Sequence, residues 1–183
     1  MTCIVGIAQN NKVYIGGDSG AIGGTTYEIR KSPKVFIKGE FLYGYAGSFR
    51  LGNILQYEFK EPKIKGDNIH KYLATDYFKA LMKCYKSVEF DPNPKNAEVN
   101  AEVDGGCSFM IGIRGQLFTM SSEDHHVVDL LRNYNAIGCG GDQALGALFA
   151  TKEDTDPVKR INTALKASAE FSYIYEPFTI LSV

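Results

Sequence analysis

Met1-Thr-Cys-Ile-Val-Gly-Ile-Ala-Gln-Asn-Asn-Lys-Val-Tyr-Ile-Gly-Gly-Asp-Ser19 opens the chain and decides how the rest is read. Two short apolar runs, Ile4 to Ala8 and Val13 to Ile15, flank the pair Asn10-Asn11. Asn tolerates positive φ, so an Asn pair between apolar runs predicts a tight hairpin turn. The hairpin returns its second strand to the start of its first. Thr2 and Asp18 therefore meet. With Met1 removed, one spot would hold a hydroxyl, the α-amine of the same residue and a carboxylate. Those are a nucleophile, a base and an orienting charge.

The chain has 183 residues, 44% apolar and 22% charged, with a formal net charge of −1. That length predicts a single domain over 1–183. The charge balance gives no electrostatic footprint for nucleic acid or an anionic membrane surface. Cys3, Cys84, Cys107 and Cys139 are spaced too widely for a Cys-x-x-Cys pair, which points to reduced thiols and a cytoplasmic protein. No signal peptide is read at the start, and no apolar run approaches the roughly 20 residues of a membrane span. Phosphate-loop and dinucleotide fingerprints are missing, so no cofactor is expected. The pair His125-His126 in the polar stretch 121–129 is a weak metal candidate and reads better as solvated loop.

Further along, Lys34 to Lys38 and Phe41 to Ala46 read as strands joined at Gly39-Glu40. The first 46 residues then form consecutive antiparallel strands. Phe49, Leu51, Ile54, Leu55 and Phe59 recur at helical spacing behind a Ser48 cap, and a second helix is expected from an Asp67 cap through Lys86. Residues 90–104 read as a surface loop or extended hairpin. Strands are expected over 107–113, 116–120, 135–137 and 178–181. Helices are expected over 142–152 and from Asp156-Pro157 to about Phe171. Helix pairs alternating with antiparallel strands predict an α+β fold, two packed sheets with helices outside.

Met-Thr-x-Ile-Val-Gly-Ile, Lys12-Val-Tyr-Ile-Gly-Gly-Asp18, Lys34-Val35, Gly44-Tyr-Ala-Gly47 and Ala136-Ile-Gly-Cys-Gly-Gly141 together resemble the proteasome β-subunit family, most closely its bacterial HslV branch. Taken singly these residues are ordinary. A threonine behind the initiator is common, and Asp18 and Gly47 read as turn residues. Their order and intervals are what make the pattern specific. The resemblance covers most of the chain and is weakest over 60–105.

The resemblance implies an N-terminal nucleophile hydrolase with a four-layer αββα sandwich, two antiparallel sheets flanked by helices. Thr2 would be the nucleophile and its amine the base, since a free α-amine titrates at about 7.7–8.0. Lys34 would stabilise the alkoxide, Asp18 would hold Lys34, and Gly47 would donate to the oxyanion. Cys139 stands where the family has a serine near the nucleophile's amine. The nearest matches to the family's Asp and Ser pair are Glu170 and Ser172. Substrate would be unfolded polypeptide, held within a homo-oligomeric ring fed by an ATP-dependent unfoldase. Two alternatives remain open: a catalytically silent ring or shell protein, and an amidase acting on a small amide. Replacing Lys34 by Ala is expected to lower turnover with little change in stability.

Overall fold

Asn10 and Asn11 both take positive φ, 54° and 58°, the geometry a two-residue hairpin turn requires. They join β1 (Ile4–Gln9) to β2 (Lys12–Gly17) in a register that pairs Ile4 with Gly17 and Gln9 with Lys12. The computed structural model describes residues 1–23, 25–91, 107–121 and 126–183. The expected loop over 90–104 falls almost wholly outside them.

After β2 come a separate small hairpin, β3 (Gly20–Gly23) with β4 (Thr26–Ile29), and then β5 (Val35–Lys38) and β6 (Phe41–Ala46). The consecutive antiparallel strands expected over the first 46 residues are present as three hairpins, which divide among three sheets. The β1–β2 hairpin belongs to a four-stranded sheet of order β10-β1-β2-β11, closed by β10 (Tyr134–Ile137) and β11 (Thr179–Ser182). The β5–β6 pair belongs to a five-stranded sheet of order β5-β6-β7-β8-β9, with β7 (Ser108–Ile113), β8 (Gln116–Ser121) and β9 (Val127–Asp129). The sequence reading placed β9 in a loop. Its three residues are too short to show an alternation, and pairing with β8 forms it.

The apolar alternation of each strand shows both sheets to be covered twice. Cys3, just before β1, packs against helices with Val5 and Ile7, whereas Ile4 faces the other sheet. On β6, Tyr43 and Tyr45 face helices and Leu42 and Ala46 face the first sheet. Two covered faces explain why these strands read as unbroken apolar runs. The layer between the sheets is thin. A Cβ on Gly44 would lie 2.6 Å from Ile4 and 2.8 Å from Ile15.

The outer face of the five-stranded sheet is covered by α1 (Phe49–Asn53), a π-helical turn Ile54–Glu58, and a broken helix of α2 (Ile69–Tyr72), a π-helical turn Leu73–Tyr77 and α3 (Phe78–Ser87). Ser48 caps α1 by accepting from Arg50 N. The second cap is Asn68, not Asp67: its side chain accepts from Lys71 N at 2.8 Å. The outer face of the other sheet carries α4 (Gly141–Ala150) and α5 (Pro157–Phe171), the latter capped by Asp156 on Val158 N and Lys159 N. The result is an αββα sandwich of antiparallel sheets. No helix of the described residues is long and apolar enough to cross a membrane.

Candidate active site

Four chain segments converge at one end of the sandwich. Thr2 precedes β1, Asp18 follows β2, Lys34 precedes β5, and the turn Gly138-Cys139-Gly140 follows β10. Sheet register does the first part of the work. Ile4 pairs with Gly17 on one side and with Ile137 on the other, so Thr2 lies between Asp18 and the 138–140 turn. Packing of one sheet on the other then brings Lys34 across.

Lys34 Nζ lies 3.0 Å from Thr2 Oγ1, and 2.9 and 3.0 Å from Oδ1 and Oδ2 of Asp18. It also donates to Met1 O at 3.1 Å, and Thr2 Oγ1 donates to the same carbonyl at 2.8 Å. Asp18 is held in turn by backbone: Cys3 N donates to Oδ1 at 3.0 Å and Gly20 N to Oδ2 at 2.9 Å. Both Lys34 and Asp18 are only 1% exposed. Burial pulls the Lys34 ammonium below the usual lysine range, and the facing Asp18 carboxylate opposes that pull. The arrangement is a desolvated cation aimed at a hydroxyl, which lowers the cost of negative charge on that oxygen.

The turn after β10 grips Thr2 from the other side. Gly140 N donates to Thr2 O at 3.3 Å, and Thr2 N donates to Cys139 Sγ at 3.2 Å. Gly138 has φ +89°, and a Cβ there would stand 2.2 Å from Thr2 O and 3.4 Å from the Cβ of Ala46. The chain leaving β6 at Gly47 therefore runs close to Thr2. Gly47 has φ +95°, and a Cβ on it would meet the Cys107 backbone at 3.0 Å. Of the five residues singled out in the sequence, Thr2, Asp18, Lys34 and Cys139 are linked by direct hydrogen bonds. Gly47 adjoins Ala46 at the rim.

The four cysteines differ sharply, and Cys84 on α3 is half-buried with its thiol raised by burial. Cys3 is fully buried, and burial drives its thiol up to about 12, far from any nucleophilic role. Cys107 is buried and also raised by burial, as a small core residue would be. Cys139 is exposed.

No family model and no curated protein matches this chain. Solved structures do. BPH from Thiobacillus denitrificans, in complex with epoxomicin, superposes with a TM-score of 0.76 over 99% of this chain and 97% of its own at 16% identity. HslV from Trypanosoma brucei gives 0.67 over 98% of each chain at 15% identity. The chain has the proteasome-like fold. The Anbu complex from Pseudomonas aeruginosa, solved as a helical assembly, shares that fold with a TM-score of 0.66, covering 100% of this chain and 81% of its own at 15% identity.

Glu170 and Ser172, the residues matched to the family's Asp and Ser, make none of the hydrogen bonds to Thr2 among the described residues. Glu170 is exposed on α5, and Ser172 accepts only from Ile174 N among the described residues. The serine that reaches the site is Ser168, fully buried on α5, with its hydroxyl 2.7 Å from Gly140 O and 3.4 Å from Cys3 Sγ. Ser168 thus braces the turn that holds Thr2. A polar residue on the apolar face of a helix, among Ala164, Leu165 and Ile161, is the signal that would have found it. His125 lies outside the described residues, and these contain no group of His, Cys, Asp and Glu arranged for a metal ion. His70 is exposed, its Nε2 3.6 Å from an Asp129 carboxylate oxygen.

Proposed function

We propose that this chain, with Met1 removed, is a threonine peptidase that uses Thr2 as its nucleophile and acts on unfolded polypeptide inside a homo-oligomeric, ring-like assembly. The observation that carries the reading is the 3.0 Å contact between Lys34 Nζ and Thr2 Oγ1, with Asp18 locked behind it. While Met1 is present the Thr2 nitrogen is a peptide N–H and no base exists. Removal turns that nitrogen into an amine, beside its own hydroxyl. Met1 is 49% exposed, which leaves it open to removal.

The chemistry then runs on this chain's own groups. The Thr2 amine takes the hydroxyl proton as Oγ1 attacks the substrate carbonyl, and the Lys34 ammonium stabilises the developing oxygen nucleophile. The tetrahedral oxyanion is met by the Gly47 N–H, a type of donor typically worth about 10²–10³ in rate. The Thr2 ammonium returns its proton to the departing amine, leaving an ester on Oγ1. Water, deprotonated by the same amine, attacks that ester and frees the acid product and Thr2.

Support for the assembly and the peptide substrate comes from the fold shared with HslV and Anbu and from the epoxomicin held by the BPH relative. An ATP-dependent unfoldase as feeder and a cytoplasmic setting belong to the same reading. The decisive experiment pairs intact mass with turnover. Loss of the methionine mass, hydrolysis of a fluorogenic peptide, labelling by epoxomicin and loss of both in Thr2→Ala support the peptidase. Full activity in Thr2→Ala rejects it.

One observation favours a second reading. The group against Thr2 N is the thiol of Cys139, a weaker hydrogen-bonding partner than a hydroxyl. A silent shell protein would tolerate that change. A mass that retains Met1 in the mature assembly would select it. Turnover of small amides but not peptides would select an amidase.

A further inference from the structure

The wall beside Thr2 carries a second cation. Arg30 follows β4, and its backbone N donates to Ser19 O at 2.9 Å, which ties it to the residue after Asp18. Its guanidinium lies 3.9 Å over the ring of Phe49. Lys34 Nζ lies 6.0 Å from the centroid of the same ring. One aromatic side chain thus spans the gap between the cation that contacts Thr2 and a second one. Phe49 also stands two residues beyond Gly47, on the rim where a substrate carbonyl would sit.

Lys31, next to Arg30, is exposed to solvent, and three other cations of this region are neutralised. Lys34 is paired with Asp18, Lys38 with Glu61 and Arg50 with Glu58. Arg30 has no carboxylate within ion-pair distance among the described residues. It is half-buried and permanently charged, and the ring beneath it limits its motion. A guanidinium fork held in place and lacking a carboxylate is a receptor for one.

We infer that Arg30 is a specificity-determining residue, reading an aspartate or glutamate side chain of the substrate peptide in one of the two residues before the cleaved bond. The inference rests on the peptidase reading of Thr2 and names the substrate class for that same site. An extended chain advances roughly 3.3 Å per residue, so a carboxylate one or two residues from the cleaved bond spans the width of one aromatic ring and its cation.

The test uses the protein lacking Met1 and matched aminocoumarin peptides with Glu or Gln at each of those two positions. At one position, kcat/KM for the Glu peptide should exceed that for the Gln peptide by about tenfold, mainly through KM, and the gap should narrow with added salt. Arg30→Gln should bring the ratio to near one. Arg30→Lys keeps a cation and should keep part of the preference. Equal turnover of Glu and Gln peptides by the wild type, or equal ratios in the wild type and Arg30→Gln, overturns the inference. If no peptide is cleaved, the peptidase reading fails by itself. The role of Arg30 is then decided by fluorescence polarisation of the labelled peptides on Thr2→Ala: tighter Glu-peptide binding lost in Thr2→Ala/Arg30→Gln upholds it, and equal binding overturns it.

Discussion

Lys34 Nζ sits 2.9 Å and 3.0 Å from the two carboxylate oxygens of Asp18, with both side chains sealed from water. A pair so buried is expensive to assemble and worse to leave half-made, because the surviving charge keeps its desolvation cost without its partner. The contact therefore links stability and chemistry at a single point. It also makes the direction of several measurements predictable.

Replacing Lys34 by Ala should lower peptide turnover by at least about a hundredfold, since the cation facing Thr2 Oγ1 is gone. The sequence alone suggested little change in stability. Burial reverses that expectation: Asp18 is left charged in the interior, and unfolding free energy should fall by about 3–5 kcal/mol. A double replacement, Lys34→Met with Asp18→Leu, should recover much of the stability and none of the activity. Denaturant melts alongside turnover decide it, and an unchanged midpoint in Lys34→Ala would show that the pair is not sealed.

Gly138→Ala and Gly146→Ala make a contrasting pair. At Gly138 the new Cβ would lie 2.2 Å from Thr2 O at φ +89°, so the turn must move and take Thr2 with it. A loss of at least about 2 kcal/mol and of most turnover is expected. Gly146 lies inside α4 with nothing within 4 Å of its Cβ position. There the same change should stabilise by about 0.5–1 kcal/mol and leave turnover alone. Thermal melts of the two variants give the comparison.

Thiol reagents should act at Cys139. It is exposed, whereas Cys3 and Cys107 are buried and Cys84 is half-buried, all three with thiols raised by burial. Adding a bulky group to a sulfur 3.2 Å from Thr2 N should block the site. Iodoacetamide is expected to abolish turnover in the wild type and spare Cys139→Ser, which should also be at least as active. Peptide mapping locates the adduct, and inhibition that persists in Cys139→Ser would place the sensitive thiol elsewhere.

Alkaline pH should weaken activity and fold by separate routes. The proposed mechanism needs the Lys34 ammonium, whose proton is released below the ordinary lysine range because burial disfavours the charge. Turnover should therefore rise as the Thr2 amine loses its proton near about pH 8 and fall again before about pH 10.5. For the fold, Tyr43, Tyr72, Tyr77 and Tyr85 are all raised by burial above the usual tyrosine value. The folded state then holds protons that the unfolded chain releases above about pH 10, so stability falls from there upward. Lys34 has the opposite sign, a lowered folded value whose cost shrinks as pH rises, and one lysine does not outweigh four tyrosines. Melting temperature and turnover against pH, taken on one preparation, would separate the two limbs. A stability that climbs above pH 10 would contradict the assignment.

The sequence by itself determined the local parts. Asn10-Asn11 set the first hairpin, since few other residues adopt positive φ twice in succession. That hairpin alone was enough to place Thr2 near Asp18. Ser48 and Asp156 announced their helices by side-chain capping, and Gly44 and Gly47 marked tight approach in order along the chain. Such signals act over a few residues, which is why they can be read in a string of letters.

Only the tertiary structure decided the rest. Which strands distant in sequence pair within a sheet, as β1 with β10 and β2 with β11, follows from burying both faces at once, and no local pattern encodes it. The three-residue β9 exists because β8 offers it hydrogen bonds. Ser168, not Glu170 or Ser172, reaches the turn behind Thr2 because of how α5 rotates on its sheet. Lys34, a surface charge by residue type, became a sealed ammonium because the two sheets close over it and Asp18 compensates it. Burial and pairing are properties of the packed whole, so the surroundings of Thr2 are set by contacts that its neighbours in sequence do not make.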